Sequence, residues 1–247
     1  MSLIYGINPV YEAISSGKTI NKIYVQKSNK ELNKIIQKAK EKKIVIVEAD
    51  KLKLDKMITE KNEKVKNSQG VVASVTEYKY YTIDDILDYA KEKNESPYII
   101  ILDKIEDPHN LGAIVRSAEC LGAHGIIIQK RNASQVTDTV EKTAAGACNY
   151  MRIARVTNIT ESIRYLKKKG LWIYGLDMEG AQDIYNTEFS GAIGLVIGNE
   201  GTGISKLVLE NCDFIVKIPM TGHIESLNAS VSAAISMYEI MRQKNNK

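Results

Sequence analysis

Apolar positions along the first 75 residues switch between two periods. Lys22-Ile23-Tyr24-Val25 reads as a short strand. From Glu31 to Lys42, the residues Leu32, Ile35, Ile36 and Ala39 fall at i, i+3, i+4 and i+7, which predicts a one-sided helix. Ile44-Val45-Ile46-Val47 reads as a buried strand, and Gly70 to Val75 as another. Together they predict a small α/β domain over residues 1–76. The polar stretch 77–96 carries one helix, over Ile83 to Ala90, and closes at Pro97. It reads as a linker.

Beyond Pro97 the pattern becomes regular. Continuous apolar runs occur at Tyr98–Leu102, Gly125–Ile128, Leu171–Leu176, Ala192–Ile197 and Phe214–Ile218. Such runs suit strands buried on both faces. Helical patterns fall at Ala113–Leu121, Thr139–Ala147, Ile159–Lys169, Leu207–Asn211 and Asn228–Gln243. Strands alternating with helices predict a parallel sheet covered on both sides, over residues 97–247.

Composition narrows the class. Hydrophobic residues make up 44% of the 247 and charged residues 26%, enough apolar material for a core. No apolar run approaches the roughly 20 residues that span a bilayer. No basic segment followed by an apolar one opens the chain, so a cytoplasmic protein is expected. The cysteines Cys120, Cys148 and Cys212 form no CxxC pair and the three histidines no HxxxH pair, so no metal site is expected. The cysteines read as buried thiols. Net charge is +4, and its distribution says more. Residues 1–94 hold 18 Lys against 13 Asp plus Glu, for +5; residues 95–247 hold 16 Lys plus Arg against 17 acids, for −1. The basic excess of the first third suits a polyanion-binding module.

Three strand ends carry the candidate chemistry, since ligands of parallel sheets gather beyond the carboxyl ends of strands. After Leu102 comes a Pro-containing turn, then a helix with Asn110 as a candidate cap and Arg116 farther along. After Ile197 comes Gly198-Asn199-Glu200-Gly201-Thr202-Gly203, whose glycines allow close backbone approach to a ligand. It matches neither the dinucleotide nor the P-loop fingerprint. After Ile218-Pro219-Met220 a loop leads to Ser226-Leu227-Asn228, where Ser226 or Asn228 opens a helix rich in small residues.

These segments, in this order and each at a strand end, resemble the three motifs of the SpoU (TrmH) family of RNA 2′-O-ribose methyltransferases. Asn110-Leu111-Gly112 with Arg116 is similar to the first, Gly198–Gly203 to the second, and Ile218–Met220 through Ser226–Ser230 to the third. Tyr5–Val10 with Ser68–Ala73 resembles the family's N-terminal substrate-binding domain, which is similar in fold to small RNA-binding ribosomal proteins. Ser68 stands where relatives often carry His.

The resemblance implies an α/β catalytic domain of the SPOUT type with a deep trefoil knot. It implies S-adenosylmethionine as cofactor, held by backbone groups at Gly198, Ile218 and Leu227. Arg116 is the family's proposed base, a difficult role for a guanidinium that stays charged; anchoring RNA or stabilising alkoxide charge suits it as well. Asn110, Glu200, Ser226 and Asn228 would orient Arg116 and the ribose. The two-domain arrangement is closest to enzymes that methylate a guanosine ribose of 23S ribosomal RNA. Transfer RNA is the alternative substrate, and a non-catalytic RNA-binding protein of the same fold the alternative function. Relatives are homodimers, and the apolar residues of the last helix fall on more than one face, with Met237 and Met241 expected at the contact.

Overall fold

The computed structural model describes residues 2–15, 20–60, 67–75, 78–223 and 226–245. The chain forms two compact units, Met1–Lys79 and Tyr80–Lys247.

The first unit runs β1 (Ser2–Tyr5), α1 (Ile7–Ser15), β2 (Ile20–Gln26), α2 (Asn33–Glu41), β3 (Ile46–Ala49), α3 (Lys51–Thr59) and β4 (Val71–Val75). Its sheet has the order β1-β4-β2-β3, with β2 and β3 parallel and the other pairs antiparallel. Val71 and Ala73 pack on one face with Val10, Ile14, Leu32 and Ile35; Val72 packs on the other with Leu54 and Ile58. Cover on both faces explains why every residue of β4 is buried.

The Ile44–Val47 run is a correction. The strand starts two residues later, and Val45 is 54% exposed. Lys43 has φ 55° and the Ile44 N–H donates to Ala39 O at 2.9 Å, so Lys43 and Ile44 close the end of α2. Ile44 packs on the core as the apolar contact of that C-cap.

The second unit runs α4 (Ile83–Glu92), β5 (Tyr98–Leu102), α5 (Pro108–Cys120), β6 (Gly125–Gln129), α6 (Asp138–Thr143), β7 (Arg152–Val156), α7 (Ile159–Lys168), β8 (Trp172–Leu176), β9 (Gln182–Asp183), β10 (Ile193–Ile197), α8 (Lys206–Leu209), β11 (Phe214–Lys217) and α9 (Ala229–Asn245). Its strands form one parallel sheet in the order β7-β6-β5-β10-β8-β11-β9. Ile99, Ile101, Ile127, Ile173 and Val196 line a core closed by Ile163 and Leu166 of α7. Burying each such side chain contributes about 1.5–3 kcal/mol.

Residues 80–96, expected to be linker, belong to this unit. Thr82 and Asp85 form a capping box at the start of α4, and Ile86 is fully buried in the sheet's core. Gly125 is the residue that admits it, since a Cβ there would stand 2.5 Å from Ile86 Cδ1.

Candidate active site

All strands of the second sheet run parallel, so their carboxyl ends share one edge. The candidate residues leave from that edge. Asp103 and Lys104 follow β5, Gly198 follows β10 and Ile218 follows β11.

The helix after β5 starts earlier than expected. Pro108 occupies its first turn and Asp107 caps it, accepting from the His109 N–H at 2.9 Å. Asn110 is therefore not the cap. It lies one turn inside, buried, with its amide free for other partners. Gly112 lets α5 cross α6 closely, since a Cβ there would stand 2.6 Å from Thr143 Cβ and 2.9 Å from Val140 O.

Asn228, not Ser226, caps α9. Its Oδ1 accepts from Ser230 N at 2.9 Å, Ser230 Oγ at 2.6 Å and Val231 N at 3.3 Å. That fixes the amide's orientation and turns Nδ2 outward. Asn228 Nδ2 donates to Asn110 Oδ1 at 3.0 Å, and Asn110 Nδ2 donates to a Glu200 carboxylate oxygen. A carboxylate at one end and helix N–H groups at the other leave one assignment for both amides. Three segments far apart in sequence thus meet in one hydrogen-bonded row, ending in the exposed Glu200.

The glycine loop that carries Glu200 is clipped at both ends. Asn199 and Gly203 exchange backbone bonds of 3.2 and 2.8 Å, and a Cβ on Gly198 would stand 2.2 Å from the Gly203 carbonyl carbon. Asn199 Nδ2 donates to Lys104 O at 3.0 Å. Buried Asp103 accepts from Ser205 N at 2.7 Å and Ser205 Oγ at 2.5 Å. Asp103, Lys104, Asn199 and Ser205 were not among the expected site residues. Neither was Asp177, which follows β8 with its carboxylate beside Gly203. The strand-end rule applied to β8, which lies between β10 and β11, would have selected it.

Other expected residues are placed differently. Arg116 is exposed, and among the described residues its guanidinium has no hydrogen-bond or ion-pair partner. It lies six positions after Asn110, about one and two-thirds turns, so the two sit on different faces of α5. Ser226 is exposed and is not part of the row. Leu227 and Ile218 are partly buried, at the entry to α9 and the exit from β11. Ile224 and Glu225, within the third motif, lie outside the described residues.

Of the cysteines, Cys120 is exposed at the end of α5, contrary to expectation. Burial pushes the Cys148 thiol up to about 11 and the Cys212 thiol up to about 12, away from thiolate chemistry. Among the described residues no cluster of His, Cys, Asp and Glu is arranged to hold a metal ion, and no helix is long and apolar enough to cross a membrane.

Comparison with known proteins bears on this geometry. Residues 97–238 match the SpoU rRNA Methylase family, and residues 3–81 match the RNA 2′-O ribose methyltransferase substrate-binding family. A putative TrmH family tRNA/rRNA methyltransferase of Bacillus subtilis, YacO, is 41% identical over 98% of this chain and 96% of its own. A similarly described protein of Staphylococcus aureus is 42% identical over the same shares. In fold, the chain resembles the SpoU methyltransferase AviRb of Streptomyces viridochromogenes, solved with AdoMet, at TM-score 0.64 and 24% identity, covering 99% of this chain and 91% of that one. The methylase-family match, the substrate-binding-family match and the near-full-length relatives agree: this chain belongs to the SpoU (TrmH) family of RNA methyltransferases.

Proposed function

We propose that this chain transfers a methyl group from S-adenosylmethionine to a ribose 2′-hydroxyl of RNA, with a guanosine of 23S ribosomal RNA as substrate, and works as a cytoplasmic homodimer. The observation that carries the reading is the Asn228–Asn110–Glu200 row, which gathers all three motif segments at one edge of the sheet.

The residues present fit the cofactor. Within the Gly198–Gly203 loop the backbone is accessible at Gly201, which is exposed, and at half-buried Gly203, and among the described residues the N–H groups of Ile218 and Leu227 have no backbone partner. Backbone atoms at Gly198, Ile218 and Leu227 would hold the adenosine, with apolar side chains around it. When bound, the cofactor would supply an activated sulfonium methyl for the ribose 2′-oxygen, whose hydroxyl gives up its proton to solvent. Holding the ribose oxygen in line with that methyl is the protein's main task. Glu200 accepts a hydrogen bond from the ribose, and Asn110 fixes the carboxylate's direction.

Arg116 is set apart from the row in its own subunit, and among the described residues its guanidinium has no partner. It suits a role across a two-fold contact, serving the partner's ribose or an adjoining phosphate. Helix α9, which packs on α5, supports such a contact. Its inner face holds Ala229, Ala233, Met237 and Ile240; Val231, Ile235 and Tyr238, at i, i+4 and i+7, form an exposed outer stripe. Met237 is 0% exposed within its own unit and Met241 is half-buried, so we place the contact on this stripe rather than at those two methionines. We further propose that the chain beyond β11 threads a loop as a trefoil knot. Support comes from the crossing at Gly180, where a Cβ would stand 2.6 Å from the Val216 carbonyl carbon, and from the return of Asn228 to Asn110.

Mapping 2′-O-methyl nucleotides in RNA from a strain lacking the protein tests the substrate. Loss at one 23S guanosine is expected. Loss in transfer RNA alone would overturn the ribosomal assignment.

A further inference from the structure

The chain holds six arginines, none before Arg116. Two of them, Arg131 and Arg155, share a strip with Lys104 and Lys130 along the carboxyl edge of the sheet. The turn after β5 is bonded to the loop after β6: Lys104 N donates to Gln129 Oε1 at 3.2 Å, and Ser134 N to Ile105 O at 2.8 Å. That loop is closed by Gln135, whose Nε2 donates to Gln129 O at 2.8 Å and Ala133 O at 3.0 Å. Gln135 Oε1 accepts from Arg155 Nη1 at 3.5 Å, and the Arg155 guanidinium lies 4.4 Å from the centre of the Tyr80 ring. The Tyr80 hydroxyl in turn accepts from Val136 N at 2.9 Å. A bonded path therefore leads from Lys104, which also holds the glycine loop, to Arg155 on the edge strand β7.

Lys104, Lys130, Arg131 and Arg155 are all exposed, and among the described residues none has a carboxylate partner. Residues 95–247 carry 16 Lys plus Arg against 17 Asp plus Glu, so this is no general basic bias. Like charges held on braced loops repel one another unless an anion joins them. Spaced single cations suit a chain of phosphates. Arg152, at the other end of β7, is different: it is partly buried and stacks 3.4 Å from the centre of the Tyr89 ring.

We propose that Lys104, Lys130, Arg131 and Arg155 seat the phosphodiester backbone of the substrate RNA as it leaves the active site toward the β7 edge. The inference rests on the reading of the site as one that acts on RNA. It adds an RNA track on the catalytic unit itself, separate from the basic N-terminal unit.

The test uses the full chain with Lys130→Gln, Arg131→Gln and Arg155→Gln combined, and 23S ribosomal RNA transcribed in vitro. Binding is measured across a salt series. The slope of log K against log salt should fall by about two, at about 0.7–0.9 per lost contact. Affinity at low salt should fall about tenfold or more, with cofactor affinity unchanged. Lys168→Gln, at the end of α7, removes a charge outside the strip and should leave slope and affinity near wild type. Lys130→Gln with Arg131→Gln alone, which spares the Arg155–Tyr80 stack, should still lower the slope by about one or more. Wild-type slope and affinity in both multiple variants would overturn the proposal. Binding is read without turnover, so a protein that binds RNA along this strip but never methylates it would sink the catalytic reading instead.

Discussion

Asn228 faces two ways: its amide oxygen caps α9, and its amide nitrogen donates to Asn110 Oδ1 at 3.0 Å. One side chain thus ties the start of the last helix to the row that ends at Glu200. The two roles separate by substitution. Asn228→Asp keeps a capping oxygen but sets a carboxylate against Asn110 Oδ1. Its melting temperature should stay within a few degrees of wild type, while methyl transfer falls about a hundredfold, the scale of one misplaced orienting group. Asn228→Ala should lose activity and also about 1 kcal/mol of stability, from the lost cap. Equal activity in Asn228→Asp and wild type would reduce Asn228 to a cap.

Arg116→Ala should lower methyl transfer by about 10²–10³, the cost of removing one charge-stabilising donor. Its cofactor affinity, read by calorimetry, should match wild type. Arg116→Lys should remain poor, because a point charge does not reproduce a planar fork. Near-normal turnover in either variant would remove Arg116 from the site.

Asp103 braces the end of the glycine loop. It is buried, and it binds both the N–H and the hydroxyl of Ser205 at the end of the glycine loop. Asp103→Ala leaves those donors unpaired, at a cost of about 1–3 kcal/mol in denaturant unfolding. Because the loop loses one of its two clips, cofactor affinity should drop as well. A stability loss with unchanged cofactor affinity would confine Asp103 to the fold.

His124 sets a pH dependence. Its Nδ1 accepts from Tyr98 N at 3.0 Å, and Nε2 lies 3.2 Å from Glu95 Oε2. Burial holds its pKa below the ordinary 6.5; Glu95 opposes this, and Lys244 and Lys93 reinforce it. The folded state therefore favours the neutral ring. The stability it contributes is full above about pH 6.5 and is lost as pH falls through the lower folded value. Urea unfolding at about pH 7.5 and about pH 5.5 should show that loss, and His124→Gln, which keeps an acceptor without titrating, should flatten it.

The outer stripe of α9 predicts that Ile235→Glu shifts the protein toward monomer and lowers activity with it. Sedimentation of wild type as a monomer at working concentration, with full activity, would remove the dimer from the account.

Much of the second unit was legible because its strands are buried on both faces: Tyr98–Leu102 is apolar throughout and forms β5 over that same span. Strand β7 was not read, since Arg152 and Arg155 break its apolar run at the sheet's edge. The start of α5 was readable in Asp107-Pro108, a cap followed by Pro in the first turn, but Asn110 offered a competing cap. What no local pattern could show is the strand order. β10 inserts between β5 and β8, bringing Ser205 onto Asp103 and Glu200 onto Asn110 from about 100 positions away. Asn110, Glu200 and Asn228 were visible one by one; the Asp103 clip was not, because it exists only after that insertion.

The most direct measurement incubates the protein with RNA and methyl-labelled S-adenosylmethionine, then digests the RNA with alkali. Alkaline cleavage needs the 2′-oxygen to attack the neighbouring phosphate, so a 2′-O-methyl nucleotide survives joined to its neighbour. Label is expected in alkali-resistant dinucleotides, lost in Arg116→Ala and in Glu200→Ala. Label released in mononucleotides would mean methylation of a base, and no label at all would mean no transfer; either result would overturn 2′-O-methyl transfer as the activity.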